Sequence, residues 1–104
     1  MKIHFSFKNV DLKAKEVLQK YADEKKISRL TRLLQHGNLE VADLDIKTEY
    51  FTKHNAFDVK MSLKIKKDRL LGGETSHDIR KAFDFALNRV IAQLRKIENI
   101  KHKK

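Results

Sequence analysis

Residues 57–66 alternate strictly between apolar and polar side chains, which is typical of a β-strand with one buried face. The apolar positions are Phe57, Val59, Met61, Leu63 and Ile65. Residues 2–8 and residues 40–51 show the same alternation. Because a period of two places all apolar side chains on one side of a strand, the chain is expected to form a sheet with one covered face.

Residues 69–75 predict a short fourth strand, in which Gly72-Gly73 indicates a weak or bulged edge. A last helix is expected to open at Thr75, which has the capping-box spacing from Asp78. Its apolar residues then follow a 3.6-residue period over five turns. They are Ile79, Phe83, Ala86, Val90, Leu94 and Ile97. Residues 101–104 are predicted to be a frayed basic tail.

Residues 12–35 predict a first helix, which Gly37 would end. Asn9 and Asp11 are its candidate N-caps. The two apolar stripes of this helix are out of phase near residues 23–26. We therefore expect a bulge, a kink or a short break at that place.

The predicted element order is β-α-β-β-β-α, and the fold class is α+β. No linker, repeat or low-complexity segment interrupts this order, so residues 1–104 are expected to form a single domain. A four-stranded, mostly antiparallel sheet with both helices on one face would bury every apolar stripe. The first crossover would be right-handed if its two strands pair in parallel.

The positive charge is concentrated in the predicted helices. The chain carries 24 basic and 14 acidic side chains, a formal net charge of +10. Residues 79–104 contain eight basic and two acidic side chains, whereas residues 37–78 contain seven and eight. Segregation of this kind favours a binding face for a polyanion, with nucleic acid ahead of an anionic membrane.

Composition also excludes several functions. A chain without cysteine has no disulfide, thiolate zinc site or cysteine nucleophile. No apolar run could span a membrane, and the alternating N-terminus differs from a signal peptide, so we expect a cytoplasmic protein with no membrane partner. The five histidines lack the i, i+4 spacing of a helical metal site, and the adjacent residues Ser76-His77-Asp78 cannot form a catalytic triad. We therefore expect no metal, no cofactor, no small-molecule substrate and no enzymatic activity.

A helical wheel of the last helix places a polar stripe opposite the apolar one. The stripe comprises Lys81, Asn88, Arg89, Ala92 and Lys96, and it is flanked by Arg80 and Arg95. Spaced cations suit phosphates because each neutralised phosphate releases counterions, so we expect recognition of a shaped RNA surface rather than of a base sequence. Phe85 also falls within the stripe. It either stacks on a base or ribose of the RNA or is an isolated apolar residue on the surface.

Short stretches of the chain match one family in order. Lys8-Asn9-Val10-Asp11-Leu12 looks like that family's "K-N-V-E-I", Leu18-Gln19-Lys20-Tyr21 like its "L-R-E-Y", and Ser76 to Asp84 like its "S-E-D-M-Y-A-A-I-D". Gln93-Leu94 matches the end of "K-L-E-R-Q-L", and Arg89 stands at the Lys of that run. On these residues the chain resembles the ribosome hibernation promoting factors, also called ribosome-associated inhibitors or sigma-54 modulation proteins. It departs from them at Arg80, where Tyr is usual, and at Ala92, where Arg is usual.

The resemblance implies a fold akin to double-stranded-RNA-binding domains. It also implies binding to the small ribosomal subunit, in the channel where mRNA and tRNAs sit, and inhibition of translation by steric occlusion that protects idle ribosomes. Arg89 and Lys96 would then contact ribosomal RNA phosphates. The first predicted helix offers further cations, which are Lys25, Lys26, Arg29 and Arg32. The length resembles the short form of the family, which would be a monomer off the ribosome and would not itself pair two ribosomes.

Two other functions fit the same pattern. One is a freestanding module that binds duplex RNA as tightly as it binds ribosomes. The other is an adaptor whose basic helix docks on an acidic protein and which does not sediment with ribosomes.

Overall fold

The computed structural model describes residues 1–23, 27–34 and 41–102, with side chains to residue 97 in the last helix. The element order is β-α-α-β-β-β-α, so the α+β class is confirmed and the first predicted helix is divided into two. The elements are β1 (Lys2–Lys8), α1 (Leu12–Tyr21), α2 (Ile27–Leu33), β2 (Asp43–Phe51), β3 (Ala56–Ile65), β4 (Asp68–Ser76) and α3 (Ile79–His102).

The four strands form one mixed sheet in the order β1-β2-β3-β4. β1 runs parallel to β2, and its Lys2 lies opposite Asp43. The other two pairings are antiparallel, β2 with β3 and β3 with β4. Parallel strands need a crossover connection, which α1 and α2 provide, whereas antiparallel neighbours need only hairpins. The predicted sheet of four mostly antiparallel strands is confirmed.

The period-two pattern decides which face of the sheet is covered. Most apolar positions of β2 and β3 are buried, and they pack with α1, α2 and α3 in one hydrophobic cluster. Full burial of one such side chain contributes about 1.5–3 kcal/mol. The largest fully buried side chains are Phe83, Leu18, Leu30, Leu34, Leu44, Ile46, Met61, Leu63, Leu87, Leu94, Val59 and Val90. The polar positions of the strands form the opposite, open face of the sheet.

The phase change predicted within the first helix is present. Asp11 caps α1, and its Oδ1 accepts the Ala14 N–H at 2.7 Å. After Tyr21, residues 22–23 are π-helical. A π-helical turn holds an extra residue and therefore rotates the helix that follows, which allows both apolar stripes to face the core. The predicted stop at Gly37 lies outside the described residues.

The predicted capping box of the last helix is wrong. Thr75 lies within β4, and its hydroxyl donates to Asp58 Oδ1 at 3.0 Å. Asp78 precedes α3 instead, and its Oδ1 accepts the Arg80 N–H at 2.9 Å. The strand therefore occupies positions that the local motif assigned to the helix cap, because cross-strand pairing with β3 continues as far as Ser76.

The fourth strand, predicted to be a weak or bulged edge, has no bulge. β4 spans nine residues in unbroken register with β3, in which Gly72 lies opposite Met61 and Gly73 opposite Lys60. Gly72 has a different purpose, because a Cβ there would collide with the carbonyl oxygen of Ala86. The glycine therefore lets α3 pack closely on β4. β4 is at the edge of the sheet, as expected.

Candidate nucleic-acid interface

The predicted outer stripe of α3 is exposed along the whole described helix. Its opposite side is fixed in the core by side chains that are completely buried, including Phe83, Ala86 and Val90. A helix held in this way presents its outer side chains on a rigid support. The exposed polar or small residues are Arg80, Lys81, Asn88, Arg89, Ala92, Arg95 and Lys96.

Three of these cations are uncompensated by any residue that the structure describes. Lys81, Arg95 and Lys96 have neither an ion pair nor a hydrogen bond with any residue that the structure describes. The composition of α3 adds to this excess of positive charge, because Asp84 is the one acidic residue between positions 79 and 97. Positive charge on this surface is therefore available to an external anion.

Arg89 is engaged with the edge strand. Its Nη1 donates to the Gly73 carbonyl oxygen, and its Nη2 donates to Glu74 Oε2 at 2.9 Å. One turn further along α3, the Gln93 side chain accepts the Leu71 N–H at 3.3 Å and donates to the Leu71 carbonyl oxygen. These bonds fasten α3 to β4. Arg89, which the resemblance assigns to a phosphate, is thus partly neutralised by a carboxylate that sequence reasoning missed.

Arg80 is also close to a carboxylate, because its Nε lies 3.7 Å from Asp78 Oδ1. Its side chain remains 58% exposed, so the pair is weakened by solvent. Arg80 and Arg89 therefore carry less available charge than the three uncompensated cations.

One cation of α2 contacts the stripe of α3. Arg29 Nη1 donates to Asn88 Oδ1 at 3.4 Å, which joins the two helices at their exposed surfaces. Arg32 follows one turn later on α2 and is exposed. The predicted residues Lys25 and Lys26 lie outside the described residues. We use the term helical face for the surface formed by Lys81, Phe85, Asn88, Arg89, Ala92, Arg95, Lys96, Arg29 and Arg32.

The acid on α3 is turned toward α1 rather than outward. The Tyr21 hydroxyl donates to Asp84 Oδ2 at 2.7 Å, and the Tyr21 ring meets Phe83 edge-on with centroids 6.0 Å apart. Burial, followed by the hydrogen bond to the Asp84 carboxylate, raises the pKa of Tyr21 to about 12. This contact anchors α1 on α3, and it directs the Asp84 carboxylate toward α1 rather than toward the exposed side chains of the helical face.

The open face of the sheet is also charged, but its charges are mixed. Lys8 and Glu49 lie 3.8 Å apart, as do Lys60 and Asp58. Asp43 lies between Lys2 and Lys64 in the strand register. We use the term sheet face for this surface, whose charged residues are Lys2, Lys8, Lys47, Lys60, Lys64, Arg69, Asp43, Asp45, Glu49 and Asp58.

No group of three or more His, Asp or Glu side chains gathers into a metal site within the described ranges. At the β4–α3 junction, His77 Nδ1 lies 2.7 Å from the Asn55 carbonyl oxygen, and Ser76 Oγ accepts the Asp78 N–H at 3.2 Å. These contacts connect the strand to the helix and to the β2–β3 hairpin. In the same described part of the chain, no helix is long and apolar enough to cross a membrane.

The fold and its basic helical face agree with a match to a known family over residues 3–101, described as sigma 54 modulation protein / S30EA ribosomal protein. The chain belongs to this family. It is a family of ribosome-associated proteins that act in hibernation and translation regulation, and the resemblance inferred from short motifs is therefore confirmed.

Two solved structures share the fold of this family member. The N-terminal domain of Protein Y from Thermus thermophilus superposes with a TM-score of 0.75 at 19% identity, covering 93% of this chain and 99% of that chain. A ribosomal subunit interface protein from Coxiella burnetii superposes with a TM-score of 0.73 at 18% identity, covering 95% and 99%. A sequence comparison with curated proteins gives no match.

Proposed function

We propose that this protein is a ribosome hibernation factor that binds the small ribosomal subunit in the channel for mRNA and tRNA. Bound there, it blocks translation by steric occlusion and stabilises idle ribosomes. The observation that carries the proposal is the helical face, where cations without a partner among the described residues lie on a rigid helix in a member of a ribosome-associated family.

The geometry of α3 suits ribosomal RNA. Its 24 residues give a rod about 36 Å long, at about 1.5 Å per residue. Lys81 and Lys96, fifteen positions apart, can reach phosphates about 22 Å from each other. Each neutralised phosphate releases counterions, so the affinity is expected to fall steeply with salt and to depend little on base sequence.

The proposed occlusion depends on the volume of the bound protein and not on a chemical reaction. A folded domain with a rigid core cannot share a narrow channel with mRNA and the anticodon ends of tRNAs. The protein therefore needs no catalytic group, and affinity for the channel is sufficient for inhibition.

Cosedimentation with purified small subunits in sucrose gradients tests the binding. We expect comigration at low salt, loss at high salt, and no displacement by an excess of naked RNA duplex. Protein that stays at the top of the gradient at low salt would exclude ribosome binding. Displacement by the duplex would indicate the freestanding RNA-binding module, and retention on an acidic protein after nuclease treatment in high salt would indicate the adaptor.

Occlusion has its own test. Small subunits loaded with a fluorescent mRNA and initiator tRNA are titrated with the protein, and the release of both ligands is followed. Release in proportion to bound protein is expected. A stable complex that holds mRNA, tRNA and protein together would contradict steric occlusion.

A further inference from the structure

Phe85 is an aromatic side chain placed among cations on the helical face. It lies on α3 and is 51% exposed, while the neighbouring Ala86 and Leu87 are buried and complete the apolar stripe. Phe85 is therefore not needed to fill the core. Contact between its exposed apolar surface and water is unfavourable, and folding does not remove this surface from water.

The neighbours of Phe85 leave its ring accessible. Lys81 and Arg89 lie one turn before and after it, each about 6 Å away along the helix axis. Ala92 lies two turns after Phe85 on the same stripe, beyond Asn88 and Arg89, and is exposed. The arrangement is a half-exposed aromatic ring between two cations of the same stripe.

We propose that Phe85 stacks on an unpaired base of the bound RNA while Lys81 and Arg89 hold the phosphates on either side of that nucleotide. The inference rests on the proposed function and adds the kind of RNA that the helical face selects. Every base has a π-face, so the stacking tolerates any sequence, but a base within a duplex cannot offer its face. The helical face therefore prefers single strands, loops and bulges over a continuous duplex.

The charges around Phe85 favour RNA over a protein partner. The cores of protein interfaces are depleted of charged residues, because burial of an unpaired ammonium group against apolar surface is costly. Lys81, one turn from Phe85, is uncompensated among the described residues and would be buried by a protein that covered Phe85. RNA neutralises this cation with a phosphate while a base covers the ring.

The chain contains no tryptophan, so the Phe85→Trp variant carries a single indole at the stacking position. Its fluorescence is followed during titration with a single-stranded RNA oligonucleotide, with a duplex of equal length, and with small ribosomal subunits. We expect quenching by the single strand and by the subunits, and little quenching by the duplex at equal occupancy. Equal quenching by single strand and duplex would overturn the preference for an unpaired base.

Affinity measurements separate stacking from mere apolar contact. The single-strand affinity of Phe85→Ala and Phe85→Leu is expected to fall about tenfold, within the roughly 5- to 150-fold that a stacked base contributes, while Phe85→Tyr retains wild-type affinity. The salt dependence stays unchanged in all three variants because no phosphate contact is lost. Leu71→Ala, which removes an exposed apolar side chain from the sheet face, is the matched control and should bind as wild type.

Two outcomes would overturn the role of Phe85. Unchanged affinity of Phe85→Ala would make it an isolated surface residue, and full affinity of Phe85→Leu would indicate an apolar contact that needs no ring. Because Phe85 is exposed, these variants are expected to keep the wild-type melting temperature. Failure of the wild type to bind small subunits would refute the proposed function alone, since the oligonucleotide titrations still test the stacking.

Discussion

The helical face and the sheet face both expose several cations, yet they differ in where the carboxylates lie. On the sheet face, Lys8 and Lys60 each have a carboxylate 3.8 Å away, and Asp43 separates Lys2 from Lys64. On the helical face, the one acid of the described α3 side chains is turned to Tyr21. An exposed cation attracts a polyanion only to the extent that its neighbours leave its charge uncompensated.

The difference has a structural origin. Neighbouring strands lie about 4.8 Å apart, so each side chain of a sheet meets partners from two other strands, and opposite charges pair across the register. The outer side of a helix meets mainly its own residues three or four positions away. A helix with few acids in its own sequence therefore keeps its positive charge, as α3 does.

The largest effect should come from reversing two uncompensated cations of the helical face. Lys81→Glu with Lys96→Glu is expected to weaken binding to small subunits about 100-fold, since each lost charge-assisted contact costs about 1.5 kcal/mol or more. Lys60→Glu with Lys64→Glu on the sheet face changes the net charge equally and should alter the affinity by less than about threefold. Quantitative cosedimentation measures both. Equal losses from the two pairs would abolish the distinction between the faces.

A smaller effect, on stability, is expected from alanine substitutions at two adjacent glycines of β4 that lie on opposite sides of the sheet. Gly72→Ala places a methyl group against the Ala86 backbone and should destabilise the fold by about 1–3 kcal/mol, as overpacking does. In Gly73→Ala the added methyl group lies on the sheet face, 3.6 Å from the carbonyl oxygen of Val59, which is an ordinary contact distance. This variant should change the free energy of unfolding by less than about 0.5 kcal/mol. Urea unfolding measures both variants. A stable Gly72→Ala protein would mean that α3 does not lie this close to β4.

The anchor that turns Asp84 away from the helical face predicts a pH dependence. Tyr21→Phe removes the hydrogen bond to Asp84 and should lower the free energy of unfolding by about 1 kcal/mol at neutral pH. Because folding raises the pKa of Tyr21 from 10.0 to about 12, the stabilisation is complete below pH 10 and is lost as the pH rises to about 12.

The difference between wild type and Tyr21→Phe in the free energy of unfolding by urea, measured from pH 8 to pH 12, isolates the contribution of this tyrosine from those of the other side chains. It should be constant up to about pH 10 and shrink above it. A difference that does not change with pH would contradict the bond between Tyr21 and Asp84.

The smallest effect concerns the one strongly compensated cation of the helical face. Glu74→Gln removes the carboxylate bonded to Arg89 and should strengthen binding to small subunits about threefold, with a salt slope steeper by up to about one. Asp58→Asn is the matched control on the sheet face, because it removes the carboxylate near Lys60 and should leave binding unchanged. Weaker binding by Glu74→Gln would mean that Glu74 positions Arg89 for its phosphate instead of competing with it.

Much of the fold was predictable from patterns within single elements. Alternation located β1, β2 and β3, because a period of two leaves no choice of face. The continuous apolar stripe of α3 predicted which of its side chains are exposed, and the phase change of the first helix predicted its interruption. The motifs predicted the family because they follow one another in the right order along the chain.

Contacts between elements were not predictable in the same way. The pairing of Arg89 with Glu74 depends on how close α3 lies to β4, and no local pattern contains that distance. For the same reason the sequence pattern indicates a weak or bulged edge at Gly72-Gly73, although Gly72 accommodates the carbonyl oxygen of Ala86 in α3. The capping box failed because strand pairing, which is a tertiary interaction, extended β4 through Thr75.

Site-directed crosslinking tests most directly whether the helical face meets ribosomal RNA. The chain has no cysteine, so Ala92→Cys on the helical face and Leu71→Cys on the sheet face can each carry one short photo-crosslinker. After irradiation with small subunits at equal occupancy, position 92 is predicted to crosslink to the small-subunit ribosomal RNA and position 71 to give little RNA product. RNA crosslinks mainly from position 71 would contradict the account.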